Sequence, residues 1–184
     1  GSRTVEIIAV GSVIPRKGYD VLVRAMAEVT EYDWHLTIIG ATSHAPDTVL
    51  DVQTLIQALH LENRIHLAGP LDAGALDAAY HHADLFVMAS HYEGYGMVIA
   101  EAMARGLPIV TTTGGALAET MADEAGLKVP PGSSQALAKA IREMLSTPSI
   151  RRTFSDGSWR AGQRLPGWDT TARIIADTLR KAVA

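Results

Sequence analysis

The feature that most constrains this chain is a regular alternation of short apolar runs with longer segments of helical periodicity. Six apolar runs occur, at 6–11, 35–40, 65–68, 85–89, 108–112 and 126–129. Most show little polar alternation, which is typical of parallel strands that helices cover on both faces. Strand–helix–strand units of this length are right-handed and build one sheet. The pattern therefore predicts an α/β fold with a doubly wound, Rossmann-like, six-stranded parallel sheet and helices on both faces.

The helical segments have start and stop signals of their own. Four lie between the strands, at 21–29, 47–59, 72–82 and 96–105, and three follow the last strand, at 134–145, 150–160 and 168–182. Asp72 is placed to cap one helix and Gly106 to end another. Glycines and a proline between 157 and 167 predict a break before the last helix. Because no linker divides the chain, we expect residues 5–184 to form a single domain.

Composition narrows the possible classes of function. The 184 residues are 47% hydrophobic and carry a formal charge of −4, which excludes the basic surface of a general nucleic-acid-binding protein. The absence of Cys excludes disulfides, thiolate metal sites and a cysteine nucleophile. No apolar run approaches the roughly 18 residues that a membrane-spanning helix needs.

The chain begins Gly1-Ser2 rather than with Met. Gly-Ser is typical of the scar that remains when a protease removes a tag, so we expect residues 1–4 to be scar and entry, and the chain to be a fragment. No secretory leader follows. We therefore expect a cytoplasmic protein, and contact of the full-length protein with the inner membrane face remains open.

Ligands of doubly wound sheets bind beyond the carboxyl ends of the strands. The loops at this edge are 11–18, 40–47, 69–72, 90–96, 112–117 and 130–134. The first loop contains neither the G-x-G-x-x-G fingerprint nor a P-loop. It does place Lys17 beyond the first strand, where an ammonium group neutralises a phosphate. The alternative is a solvated lysine in a surface loop.

The fourth loop carries most of the chemical information. Gly94 and Gly96 flank an aromatic residue between a strand end and a helix start, where bare N–H groups favour an anion. Glu93 precedes the glycines and Glu101 follows two helical turns later. A carboxylate accepts two hydrogen bonds from a vicinal diol, which suits a sugar or a ribose. The alternative is that Glu93 is only a charge at a helix end and that Glu101 lies on a solvated helix face.

Residues 93–110, EGYGMVIAEAMARGLPIV, resemble the Glu, seven residues, Glu signature of retaining glycosyltransferases with the GT-B fold, in particular glycosyltransferase family four. Other segments agree with the family in order along nearly the whole chain. They are the Lys17-Gly18 loop and the segments 38–40, 65–69, 83–87, 114–119 and 126–130. The resemblance implies the C-terminal, donor-binding half of a two-domain enzyme, a hexosyl- or glycosyltransferase whose N-terminal acceptor domain is missing.

The resemblance also implies roles for single residues. Lys17 would contact the donor diphosphate and Glu93 the hydroxyls of the transferred sugar, which makes them the two candidate catalytic residues. Glu101 would bind the ribose, and the backbone near Leu71 would meet the base. The glycine-rich loop would line the donor pocket with Gly94, Tyr95, Gly96, Met97 and Val98, the last three offering amides to sugar and phosphate.

One position departs from the family pattern. The family usually has Arg where this chain has Ser12, and that Arg shares the diphosphate with the lysine. Arg16, next to Lys17, is the candidate substitute, so Ser12 and Arg16 complete the set of donor-binding candidates.

We expect no metal and no cofactor other than the nucleoside-diphosphate-sugar substrate. No H-E-x-x-H or Asp-x-Asp motif occurs, and His81 and His82 are neighbours that face different ways on a helix. The segment 111–115 either lines the nucleotide pocket or forms a simple turn. Three rival functions remain: a nucleotide-sugar epimerase, half of a glycosyl phosphorylase, and a non-catalytic nucleotide-sugar-binding or interaction module in which Ser12 marks a decayed site.

Overall fold

A computed structural model describes residues 4–165, 172–173 and 176–180. The strands are β1 Val5–Val10, β2 Trp34–Ile39, β3 Ile65–Gly69, β4 Leu85–Met88, β5 Ile109–Thr112 and β6 Gly126–Val129. The helices are α1 Tyr19–Ala27, α2 Pro46–Ala58, α3 Ala73–His82, α4 Met97–Ala104, α5 Leu117–Thr120, α6 Ser134–Ser146 and α7 Pro148–Gln163. Short 3-10 helices occupy Pro15–Lys17 and Asp123–Ala125.

The six strands form one parallel sheet in the order β3-β2-β1-β4-β5-β6. This confirms the predicted doubly wound sheet. The chain winds outward from β1 through β2 to β3, then returns to the other side of β1 with β4. Strand order therefore reverses between β1 and β4, and their carboxyl ends open the crevice in which such folds bind ligands.

Both faces of the sheet are buried, as the near-continuous apolar runs predict. Neighbouring residues of β1 show this directly, because Ile7 belongs to one hydrophobic cluster and Ile8 to the other, on the opposite face. Trp34 is fully buried in the first cluster, and its indole N–H donates to the Val29 carbonyl at 2.9 Å.

The predicted helix signals hold where the structure describes them. The Asp72 carboxylate accepts from the Ala75 N–H at 2.8 Å and caps α3. Gly106 adopts a left-handed φ of 69° just after α4. The predicted break in 157–167 comes only after Gln163, because Gly157 and Gly162 continue α7. A Cβ on Gly157 would lie 1.9 Å from the Glu124 carbonyl oxygen, and a Cβ on Gly162 would lie 2.4 Å from the Met103 carbonyl oxygen.

The final predicted helix, 168–182, lies mostly outside the described residues. Of the helices that the structure does describe, none combines the length and the apolar character needed to cross a membrane.

Candidate functional site

The candidate site lies at the carboxyl ends of β1 and β4, where strand order reverses. The loop after β1 turns through the 3-10 helix Pro15–Lys17 and enters α1 at Gly18. Gly18 has a left-handed φ of 63°, and a Cβ there would lie 2.4 Å from the carbonyl oxygen of Ala89. Glycine is therefore required at this position, both by its backbone conformation and by the approach of the β4 loop.

The side chain of Lys17 folds back over the end of β1. A Cβ on Gly11 would lie 2.8 Å from Lys17 Cε, so the absence of a side chain at Gly11 leaves space for the lysine stem. The Tyr19 hydroxyl donates to the Gly11 carbonyl at 2.7 Å and fixes the same turn from below. The loop thus holds its ammonium group above the strand end rather than in open solvent.

The loop after β4 is held by backbone bonds to two other loops. The His91 N–H donates to the Arg16 carbonyl at 2.9 Å, which joins it to the β1 loop. The Glu93 N–H donates to Gly114 at 3.2 Å, and the Glu93 carbonyl accepts from Ala116 at 2.8 Å. The segment 111–115 is therefore a partner of the Glu93 loop, which its sequence does not indicate.

Glu93, Lys17 and Arg16 form one cluster of charges at this edge. Glu93 Oε1 lies 2.6 Å from Lys17 Nζ and 2.9 Å from Arg16 Nη1. The Ser90 hydroxyl donates to the same oxygen at 3.1 Å. Glu93 is 8% exposed and the Lys17 side chain 11%, whereas the Arg16 side chain is 43% exposed. The sequence predicted the two cations and the carboxylate, but not the contribution of Ser90.

The electrostatics of this cluster keep Glu93 ionised. Partial burial by itself raises the pKa of the Glu93 carboxyl, but the hydrogen bond and charge of Lys17, with the charge of Arg16, outweigh it and hold the pKa below its ordinary value. Tyr19 shows the opposite effect, because burial and the negative charge of Glu93 raise the pKa of its hydroxyl. At neutral pH the site therefore contains a carboxylate acceptor between two cations.

The N-terminus of α4 lies directly after this cluster. Gly96 caps the helix with a φ of 83° and without a side-chain hydrogen bond. The N–H groups of Met97 and Val98 have no acceptor among the described residues. Free N–H groups and the positive end of the helix dipole together favour an anion here.

The other loop residues lie around this helix start. A Cβ on Gly94 would meet no atom within 4 Å, and Tyr95 and Met97 are exposed. Ser12 is half-buried in the β1 loop. Leu71 lies further away, half-exposed beside a cavity that Ile8 and Ile39 also line.

Glu101 lies one turn further along α4 and outside the charge cluster. Its carboxylate accepts from the Tyr80 hydroxyl of α3 at 2.9 Å. Burial, followed by the charge of Glu101, raises the pKa of the Tyr80 hydroxyl, so it remains a donor. Sequence reasoning missed this tyrosine, because nothing in the spacing of α3 and α4 indicates which residues meet.

The described residues contain no group of three His, Cys, Asp or Glu side chains arranged to hold a metal ion. His81 and His82 are exposed, and their ring nitrogens lie 2.9 Å and 2.7 Å from carbonyl oxygens four residues earlier in the same helix.

Comparison with known proteins decides the family. Residues 2–158 match the sequence profile described as glycosyl transferases group 1. The chain belongs to this family. Among curated proteins, it is 31% identical to a D-inositol 3-phosphate glycosyltransferase of Kineococcus radiotolerans, over 96% of this chain and 44% of that protein. These findings confirm the resemblance to glycosyltransferases on which the sequence interpretation rests.

Solved structures agree with this assignment. A sucrose-phosphate synthase from Thermosynechococcus elongatus superposes with a TM-score of 0.89 at 30% identity, over 98% of this chain and 46% of that one. The Anabaena protein HepE, in complex with UDP and glucose, gives a TM-score of 0.89 at 25% identity, over 97% of this chain and 48% of that one. The chain thus spans about half the length of the curated relatives that it matches and of these two solved structures.

Proposed function

We propose that this chain is the donor-binding, C-terminal domain of a glycosyltransferase that uses a nucleoside-diphosphate sugar and transfers the sugar with retention of configuration. The observation that carries the proposal is the cluster of Lys17, Arg16 and Glu93 at the point where strand order reverses. The family membership and the UDP complex of HepE support it.

The cations and the helix start serve the diphosphate in this proposal. Lys17 and Arg16 exchange their bonds to Glu93 for bonds to the diphosphate, and the N–H groups of Met97 and Val98 meet its other oxygens. Negative charge grows on the diphosphate as the sugar leaves, so fixed positive groups stabilise the transition state more than the bound donor. Because Arg16 and Lys17 reach the same carboxylate oxygen, Arg16 is the proposed substitute for the arginine that Ser12 replaces.

The carboxylates serve the hydroxyl groups of the donor. Glu93 stays ionised and accepts hydrogen bonds from the transferred sugar, beside Gly94, Tyr95 and Gly96. Glu101, oriented by the Tyr80 hydroxyl, accepts from the ribose diol. The backbone near Leu71 meets the base. None of these steps uses a metal ion or a general base from this chain.

Calorimetric titration of the chain with UDP-, GDP- and ADP-sugars tests the proposal. At least one donor is expected to bind with a dissociation constant below the millimolar range. No binding of any of the three at millimolar concentration would contradict it. Because the chain covers only about half the length of these relatives, we also expect it to bind the donor without transferring the sugar.

A second experiment separates the enzyme from a non-catalytic binding module. Donor hydrolysis and sugar transfer would be measured on a protein that joins this chain to an N-terminal acceptor domain. Turnover that depends on Lys17 supports the transferase, whereas donor binding without turnover supports the module.

A further inference from the structure

A cavity of about 390 Å³ opens at the amino end of the sheet, away from the candidate donor site. Its wall includes Asp84 and Pro108, which immediately precede β4 and β5. Because β4 spans four residues, about 13 Å of strand separates this cavity from the charge cluster at the carboxyl end. The volume is in the range that small ligands occupy.

Three arginines from two parts of the chain line this cavity. Arg105 follows α4, while Arg151 and Arg152 lie in the first two turns of α7. We call it the arginine cavity, defined by these three residues. A guanidinium group offers planar, paired N–H donors that match the oxygens of a phosphate group better than an ammonium group does.

Two of these guanidinium groups are held in place by neighbours. Arg105 lies 4.7 Å from the centre of the Tyr80 ring and donates to one Asp77 oxygen at 3.1 and 2.7 Å. Arg151 donates through Nη1 to the carbonyls of Met144 at 2.5 Å and Leu145 at 3.2 Å. These bonds use only part of the five N–H donors on each arginine.

Arg152, the third arginine of the cavity, differs from the other two in its lack of partners among the described residues. It is exposed, and no hydrogen bond or ion pair joins it to any other residue that the structure describes. All five of its donors are therefore available to a ligand in the cavity.

The charge balance of the arginine cavity favours an anion. Three arginines and one carboxylate, Asp84, line its wall, and a second carboxylate, Asp77, pairs with Arg105 without lining the cavity. Asp84 already accepts from the Glu6 N–H at 3.0 Å and faces Arg151. The N-terminus of the 16-residue helix α7 adds the positive end of its dipole. A net positive cavity in a chain of charge −4 is a local arrangement that overall composition does not explain.

We propose that the arginine cavity binds a small phosphate monoester. The concave shape fits a free molecule, the paired donors fit phosphate oxygens, and the excess positive charge fits a dianion. The proposal does not depend on the proposed function. The cavity lies away from the Lys17 cluster, but its wall includes Tyr80, whose hydroxyl donates to Glu101.

The test is titration of the ¹⁵N-labelled chain with glycerol 3-phosphate, inorganic phosphate and glycerol, followed by amide chemical shifts. Glycerol 3-phosphate and phosphate are expected to shift the amides of Ala83, Gly106 and Ser155, with saturation in the millimolar range, and glycerol is not. Arg152→Gln changes an exposed side chain, so we expect it to fold like the wild type. It should weaken binding about tenfold, because charge-assisted hydrogen bonds are lost. Arg160→Gln, on an exposed part of the same helix, is the matched control and should leave binding unchanged.

Donor-site binding is separated by Lys17→Ala, which should leave the shifts at the arginine cavity unchanged. Three results would overturn the proposal: absence of saturable shifts at these amides, equal shifts with sodium chloride at the same ionic strength, or equal affinity of wild type and Arg152→Gln.

Discussion

At the scale of residues, one carboxylate organises the candidate site. Glu93 is nearly buried, yet it remains ionised because Lys17 and Arg16 bind the same oxygen. A buried carboxylate without these partners would destabilise the fold, because its desolvation would not be compensated. In the proposed function, this pairing holds the two cations in position for a diphosphate, which replaces the carboxylate as their partner.

This pairing predicts a pH-dependent contribution to stability. The folded-state pKa of Glu93 lies below its ordinary value of 4.5, so the pairing stabilises the fold above that pH and is lost as pH falls through the lower folded value. Glu93→Gln is expected to lower the free energy of unfolding by about 1–3 kcal/mol at neutral pH, because Lys17 loses a charged partner. The difference from wild type should shrink as pH falls.

Urea unfolding at a series of pH values from neutral to about pH 3 measures this difference, which should be constant above about pH 4.5 and decrease below it. Glu62→Gln, at an exposed position without an ion pair among the described residues, is the control and should change stability by less than about 0.5 kcal/mol. A difference between wild type and Glu93→Gln that stays constant or grows towards acid pH would contradict the account.

At the scale of elements, close backbone contacts between loops fix the site. The β4 loop touches the β1 loop at Gly18 and the β5 loop at Gly114. A Cβ on Gly114 would lie 2.3 Å from the His91 carbonyl oxygen, whereas a Cβ on Gly94 would meet nothing within 4 Å. Neither Gly94 nor Gly114 has a positive φ, so the two positions differ in the room available for a side chain rather than in backbone strain.

Gly114→Ala is therefore expected to displace the Glu93 loop. We expect a loss of about 1–3 kcal/mol in the free energy of unfolding, together with weaker donor binding. Gly94→Ala, the matched control, should change stability by less than about 0.5 kcal/mol. Urea unfolding of both variants measures the effect, and equal stability of the two would show that the loop contact does not matter.

At the scale of the whole molecule, periodicity alone predicted the sheet. The largely apolar runs at β1, β4 and β5 indicate strands buried on both faces, and their parallel order follows from the helices between them. The site loops followed from the same pattern, because ligands bind at the carboxyl ends of such strands.

Contacts between segments far apart in the chain could not be predicted from the sequence. The bond from Tyr80 to Glu101 and the bond from Glu93 to Gly114 join elements whose relative position depends on packing. The continuous α7 is a similar case, since Gly157 looks like a helix breaker but provides room for the Glu124 backbone. Residue types predicted which groups carry charge, and the fold decided which of them meet.

The central claim is that Lys17 binds a diphosphate while Glu101 binds the ribose. Calorimetry with the nucleoside diphosphate that binds best, and with its parent nucleoside, tests this directly on Lys17→Ala and Glu101→Ala. Lys139→Ala, at an exposed lysine of α6, is the control. We expect Lys17→Ala to weaken binding of the diphosphate about 10- to 100-fold and binding of the nucleoside less than about twofold. Glu101→Ala should weaken binding of both ligands by the same factor. Equal losses for the two ligands in Lys17→Ala, or unchanged affinity in both variants, would contradict the account.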